Sequence, residues 1–192
     1  MQTKSIILAL LLTAVLGADC LAQTRADPTM RIAAQQQAML KLKMMDGTWR
    51  GNASTFLPNG EKHQITQTER IGPFLDGAVK VIEGRGYEAD GKVSFNAFGT
   101  VSFDVASNVY TLHSYAHGFV GDYVLTPTTD GFSWDIPAGP MTIRYTAVIK
   151  EGVWKEVGDR IMPNKEAVRF FEMELKRLGD TTWPAAAAVS FQ

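Results

Sequence analysis

From Trp49 onward the chain alternates apolar and polar residues with a period of two, the pattern of half-buried strands rather than of helices. The clearest run sets Phe95, Ala97, Gly99, Val101 and Phe103 against Ser94, Asn96, Thr100 and Ser102, with Phe98 breaking the polar set. Such a run places one face in a core and the other in water. Nine turn signals punctuate this region: "PNG" at 58, "PFLDG" at 73, "EADG" at 88, "VASN" at 105, "HGFVGD" at 117, "PTTDG" at 127, "PAGP" at 137, "KEG" at 150 and "MPNKE" at 162. They delimit about ten strands. The segment "AVRFFEMELKRL" has helix-favouring residues, yet Phe171, Met173 and Leu175 alternate with Glu172, Glu174 and Lys176, which predicts a last strand.

Before Trp49 the texture differs. The stretch "DPTMRIAAQQQAMLKLKMM" is rich in helix formers, with Asp27 as N-cap, Pro28 at the first helical position and Gly47 just past the end. One helix is expected there. Short connections make consecutive strands hairpin neighbours and favour an up-and-down order over a Greek key. A sheet of about ten strands removes its edges by closing on itself. The expected fold is therefore all-β: an antiparallel up-and-down barrel with the N-terminal helix across one end. A barrel wider than eight strands does not fill with side chains, so an interior cavity follows.

The N-terminus is separate in kind. Lys4, the apolar "SIILALLLTAVLGA" and the small-residue "CLA" before Gln23 predict a secretory signal over residues 1–22 and a periplasmic or secreted protein. Cys20 after an apolar run raises lipidation as the alternative, disfavoured because Asp19 occupies a position that wants a small neutral residue. With Cys20 removed, neither disulfides nor thiolate chemistry would remain. The expected organisation is a leader and helix over 23–46, a barrel over 47–178 and a tail over 179–192. In that tail "GDTTWPAAAAVSFQ" shows no periodic face and is expected to pack loosely.

Composition narrows function mainly by exclusion. The 192 residues are 45% hydrophobic, as in an ordinary globular domain, and 19 basic against 20 acidic residues give a net charge of −1. No basic stripe is available for nucleic acid. Beyond the signal no run is long and apolar enough to span a membrane as a helix. Serine nucleophile elbows, zincin motifs and phosphate-cradling loops are missing from the sequence.

Candidate chemistry is accordingly sparse. His113 and His117 share a strand face but lie about 13 Å apart if extended, too far for one tetrahedral metal. Strand parity puts Tyr110, Leu112, Ser114 and Ala116 inside and both histidines outside. His63 begins a strand among polar residues and reads as solvated. Carboxylate pairs such as Glu172 with Glu174, or Glu156 with Asp159, offer acid and base chemistry in principle, though Glu172 and Glu174 fall on the wet face. No metal ligand set and no catalytic residue is assigned.

The stronger signal is aromatic and apolar. Trp134 and Trp154 lie in neighbouring hairpins, and Tyr145 alternates with Met141, Ile143, Ala147 and Ile149. With Phe95, Phe103, Leu112, Phe171 and Met173 they are expected to line the barrel, Ser114 and Tyr145 serving as polar handles. Arg144, one position off that face, points to solvent.

The stretch Gly47-Thr48-Trp49, entering the first strand behind a short helix, resembles the calycin superfamily of lipocalins and fatty-acid-binding proteins, and is similar to the nitrobindin type of ten-stranded haem barrel. The resemblance implies that Trp49 packs across the closed end under an arginine from the last strand, here Arg177, which would stack its guanidinium on the indole. "SYAHGFVGDY", "DIPAGPMTIRYTA" and "RFFEMELKRLGDTTWPA" also resemble a family of exported bacterial proteins with a lipocalin-like domain, a likeness that carries no established activity. Three readings follow. The first is an exported barrel binding a small hydrophobic or amphipathic molecule without a cofactor. The second, implied by the nitrobindin likeness, is a haem barrel acting on reactive nitrogen species through His113 or His117, although nitrobindins place that histidine late in the barrel. The third is an envelope interaction module using the methionine-rich helix and the alanine-rich tail.

Overall fold

The computed structural model describes residues 27–185, so the expected signal at residues 1–22 and the last residues of the tail lie outside the described part. Asp27 caps α1 (Pro28–Met39), its carboxylate accepting the Thr29 N–H at 2.9 Å, and Pro28 occupies the first turn, where its missing N–H costs nothing. The helix tightens into a 3₁₀ segment, Leu40–Met45, instead of continuing to Gly47 as one α-helix. This tightening drives Leu42 and Met45 into the barrel end, where both are completely buried. Met39 is buried as well, so much of the methionine-rich stretch expected to present a partner surface plugs the barrel instead.

Ten strands follow: β1 (Gly47–Phe56), β2 (Lys62–Phe74), β3 (Val79–Tyr87), β4 (Val93–Asp104), β5 (Val109–Ala116), β6 (Phe119–Thr128), β7 (Gly131–Ala138), β8 (Met141–Lys150), β9 (Val153–Ile161) and β10 (Val168–Gly179). Each pairs antiparallel with its sequence neighbour, and β10 returns to β1 to close the barrel. Its closing register places Trp49 opposite Arg177 on β10 and opposite Glu69 on β2. Gly47 enters the first strand with φ +130, and a side chain there would strike the Gly179 carbonyl at 2.6 Å, so glycine is required on both counts.

Trp49 is the centre of the closed end. Its indole is 1% exposed, its N–H donates to the Met45 carbonyl at 2.9 Å, and its ring meets Trp154 edge-on at 5.7 Å. That one residue joins the 3₁₀ plug, β1 and β9. Ile71, Leu175, Val101 and Phe132 pack around it in the same buried cluster. Beside it, Lys80 is 2% exposed and paired with the half-buried Asp46, an ion pair that fastens the end of the plug to β3.

The expected arginine stack takes another form. Arg177 lies across from Trp49 in register, but its guanidinium rests over Gly47, where nothing but hydrogen projects, and donates to the Asp46 carbonyl at 3.2 Å and to the Asp180 carboxylate. The ring partner of Trp49 is Trp154. The start of the tail also departs from expectation: Trp183 packs beneath Arg70, 4.4 Å from guanidinium to ring centroid, and its carbonyl abuts Gly72 on β2.

If Trp49 organises the closed end, Trp49→Ala should lower the free energy of unfolding by about 3–5 kcal/mol. Urea denaturation measures this. A loss below about 1 kcal/mol would show that the plug and barrel hold together without the indole.

Candidate functional site

Above the Trp49 layer the barrel encloses a cavity of about 500 Å³. Met45 from the plug forms part of its floor, and His63, Ser94, Phe95 and His117 belong to its mouth at the opposite strand ends. Alternation along every strand fixes which residues face inward. Leu112, Ser114 and Ala116 line the cavity from β5, Trp134 from β7, Tyr145 from β8, Trp154 from β9, and Phe171 and Met173 from β10, as their parity predicts. Phe95 lines it from β4. Phe103 does not: it lies two layers deeper, packed on Tyr110 at 4.7 Å where α1 covers the closed end. Its parity is right and its depth is not, because alternation reports the face of a strand but not the height along the barrel.

The aromatic wall is continuous. Trp134 and Tyr145 stack with centroids 4.5 Å apart and planes at 11°, and Phe171 meets Tyr145 edge-on at 5.7 Å. Burial, with the charge of Glu156 adding to it, pushes the Tyr145 hydroxyl up to about 12, so it remains a neutral donor.

Two carboxylic acids inside the cavity were not assigned from the sequence. Glu69 on β2 and Glu156 on β9 both line it. Glu156 was considered only as a partner of Asp159, but the two diverge: Glu156 is 8% exposed, whereas Asp159 turns outward to Arg169 at 2.6 Å. The Trp154 indole N–H donates to Glu156 at 3.1 Å, and Gln67 donates to Glu69 at 2.7 Å. Gly84 on β3 makes room for Glu69, since a methyl group there would stand 2.8 Å from its carboxylate oxygen. Burial raises Glu69 to about 8 against the lowering effect of the Gln67 bond, with the charges of Glu156 and Glu83 pushing it further. Burial likewise raises Glu156 to about 7, opposed by hydrogen bonds from Trp154 and Trp134.

The signal for these acids was present. Ile65, Gln67, Glu69 and Ile71 share one parity, as do Trp154, Glu156 and Gly158. Glu172 and Glu174 are on the outer face as expected, paired with Lys62 at 3.4 Å and Lys155 at 3.3 Å. Arg144 is outside too, held by Asp135 in a two-pronged contact at 2.8 and 2.6 Å.

The histidines divide. His113 faces outward to Asp122 and to the Tyr115 hydroxyl at 3.0 Å, as parity requires. His117 does not follow the odd set. With Gly118 it forms the two-residue turn from β5 to β6, and positive φ at both (52 and 79) makes this a type I′ geometry in which strand parity no longer applies. Its ring therefore swings over the mouth, 5.2 Å from Phe95. His63 is half exposed, yet it is a rim residue of the cavity and pairs with Glu88 at 3.1 Å. Hydrogen bonds from Ser94 and His63 hold the Glu88 carboxyl below its ordinary range. No group of three or more metal-ligating side chains occurs among the described residues.

These features define a class: a closed ten-stranded antiparallel barrel, plugged at one end, around an apolar cavity that carries two acids. Among solved structures it is similar to the crystal structure of Rv2717c from M. tuberculosis, with a TM-score of 0.55 and 12% identity over 73% of this chain and 96% of that one. At that identity the likeness extends to the fold alone. No family model matches the chain. No curated protein matches it in sequence.

The raised acid gives a signed pH dependence. Folded Glu69 keeps its proton up to about pH 8, whereas an unfolded carboxyl releases it near 4.5, so the folded state binds more protons in between. Its contribution is complete below pH 4.5 and is lost as pH rises through that window to about 8. Urea denaturation should show the stability of the wild type falling relative to Glu69→Gln across that interval. A pH-independent difference between the two would mean that Glu69 titrates normally.

Proposed function

We propose that this protein is an exported, calycin-like barrel that binds a small hydrophobic or amphipathic molecule. One observation carries the reading: a cavity of about 500 Å³ walled by aromatic and aliphatic side chains with a few fixed polar groups. Ligand sites in proteins run from about 300 to 1,000 Å³ and have that same mixture, apolar area for burial and sparse polar atoms for orientation. The ten-stranded closure and the plug at Trp49 support the calycin comparison, and the Lys4-led apolar segment supports export.

A haem reading gains one observation, the presence of His117 in the cavity lining. The remaining lining residues fit haem poorly. The imidazole lies at the mouth against Phe95, carboxylic acids occupy the interior, and among the described residues neither lysine nor arginine appears in the lining to meet propionates. Haemin titration is expected to give no Soret shift that depends on His117. A strong band abolished by His117→Ala would reverse this conclusion.

The binding reading is tested with N-phenyl-1-naphthylamine, an uncharged fluorophore that brightens in apolar surroundings. Its emission should rise on mixing with the protein, and Ser114→Trp, which fills the middle of the cavity, should weaken binding by at least about tenfold. Unchanged emission with wild-type protein would overturn the proposal.

A further inference from the structure

The interior charge is one-sided. Glu69 and Glu156 open onto the same space, and the charge of Glu156 acts on Glu69. Their hydrogen-bond donors are neutral: the Gln67 amide for Glu69 and the Trp154 and Trp134 indoles for Glu156. No lysine or arginine lines the cavity among the described residues. The nearest cations in sequence point the other way, because Arg70, adjacent to Glu69 on β2, faces outward to Glu83 at 2.5 Å and to Trp183, and Arg85 also reaches Glu83 at 3.1 Å. Lys80 is already paired with Asp46 at the closed end.

A second, independent feature points to the same kind of guest. The cavity wall beside Glu156 is aromatic: Trp134 is stacked on Tyr145, with Trp154 and Phe171 next to them. Aromatic rings attract a desolvated cation through their quadrupole, and ammonium ligands are recognised by clusters of such rings. Neutral and anionic head groups gain nothing comparable, and an anion would be repelled by whichever acid is ionised.

Resting on the binding function proposed above, we propose that the guest is a cationic amphiphile whose ammonium head is held by Glu69 and Glu156 against the Trp134–Tyr145 stack, its hydrocarbon tail running past Leu112 toward the mouth. Without a guest, the two acids share an apolar space with Tyr145 from β8 and the rim histidines His63 and His117, while Glu83 acts on Glu69 from the outer face of β3 and Arg160 of β9, seated over Phe170, acts on Tyr145; burial in that space raises both acids above the usual carboxylate range. An entering ammonium supplies the missing counter-charge and three donors, and each carboxylate retains lone pairs for them.

Isothermal titration of the full folded protein at pH 7.5 with octylammonium, octanol and octanoate separates the possibilities. Octylammonium should bind at least about tenfold more tightly than either of the others. In the double variant Glu69→Gln, Glu156→Gln that preference should shrink to about twofold or less while octanol binding persists, which also certifies the fold of the variant. Equal or weaker binding of octylammonium than of octanol or octanoate by the wild type overturns the cationic class and leaves hydrophobic binding standing. Failure of all three to bind removes both. The wild-type comparison of head groups suffices even if the double variant does not fold.

Discussion

Everything in this fold depends on β1 being hydrogen-bonded on both sides. Its pairing with β2 is local and inexpensive in chain entropy, whereas its pairing with β10 joins the two ends of the sheet and is the contact that converts a meander into a barrel. Trp49 stands on β1 at that seam. Its indole N–H is satisfied by the Met45 carbonyl, so the ring can be buried without an unpaired donor, and its edge meets Trp154 across the barrel end. Closure, plug and core are thus fastened at one residue. Ten strands bent into that circle are too many for side chains to fill, and the cavity is a geometric consequence of the seam.

Two kinds of buried charge show how the molecule divides its interior. At the closed end Lys80 is paired with Asp46, so a cation removed from water has its counter-ion at contact. Higher in the barrel, Glu69 and Glu156 receive only neutral donors and shift toward their protonated forms. An apolar filling of the same volume would pack without that penalty. A structural role explains the first pair fully, because it anchors the plug to β3. It does not explain the second, where the carboxylic acids line the open cavity and are met only by neutral side chains.

The sequence made the barrel legible because turn signals and period-two runs are local properties of the chain. Strand number, order, closure and the strand character of Val168–Gly179 all follow from them. Most lining residues, from Leu112 and Ser114 to Phe171 and Met173, were also readable from parity. The failures share a physical origin. Phe103 was misplaced because parity is blind to depth. His117 was misplaced because a type I′ turn interrupts parity. Glu69 is passed over in the sequence, and Glu156 is paired there with Asp159, because polar residues on an inner face resemble an interruption of the apolar pattern, whereas here they mark where the packed core gives way to the cavity. Arg177 was assigned to the indole by resemblance, but the positive φ of Gly47 leaves a bare backbone that the guanidinium covers instead.

Polarity along the barrel axis supplies the last step. Acids belong to the interior, aromatic faces surround them, and imidazoles stand at the rim beside Phe95 and Glu88. A guest with one polar end and one apolar end therefore has a preferred direction of entry, because burying its head among matched acceptors offsets desolvation that the aliphatic middle would not. The reverse orientation would leave both acids facing hydrocarbon and the head between rim histidines. The rim itself is built on a turn with two successive positive φ values, one of them at a residue with a bulky ring, and such a conformation persists only when the surrounding hairpin enforces it. For the guest proposed above, the acids below and the His117 ring above would make the direction of entry a property of the barrel rather than of the guest.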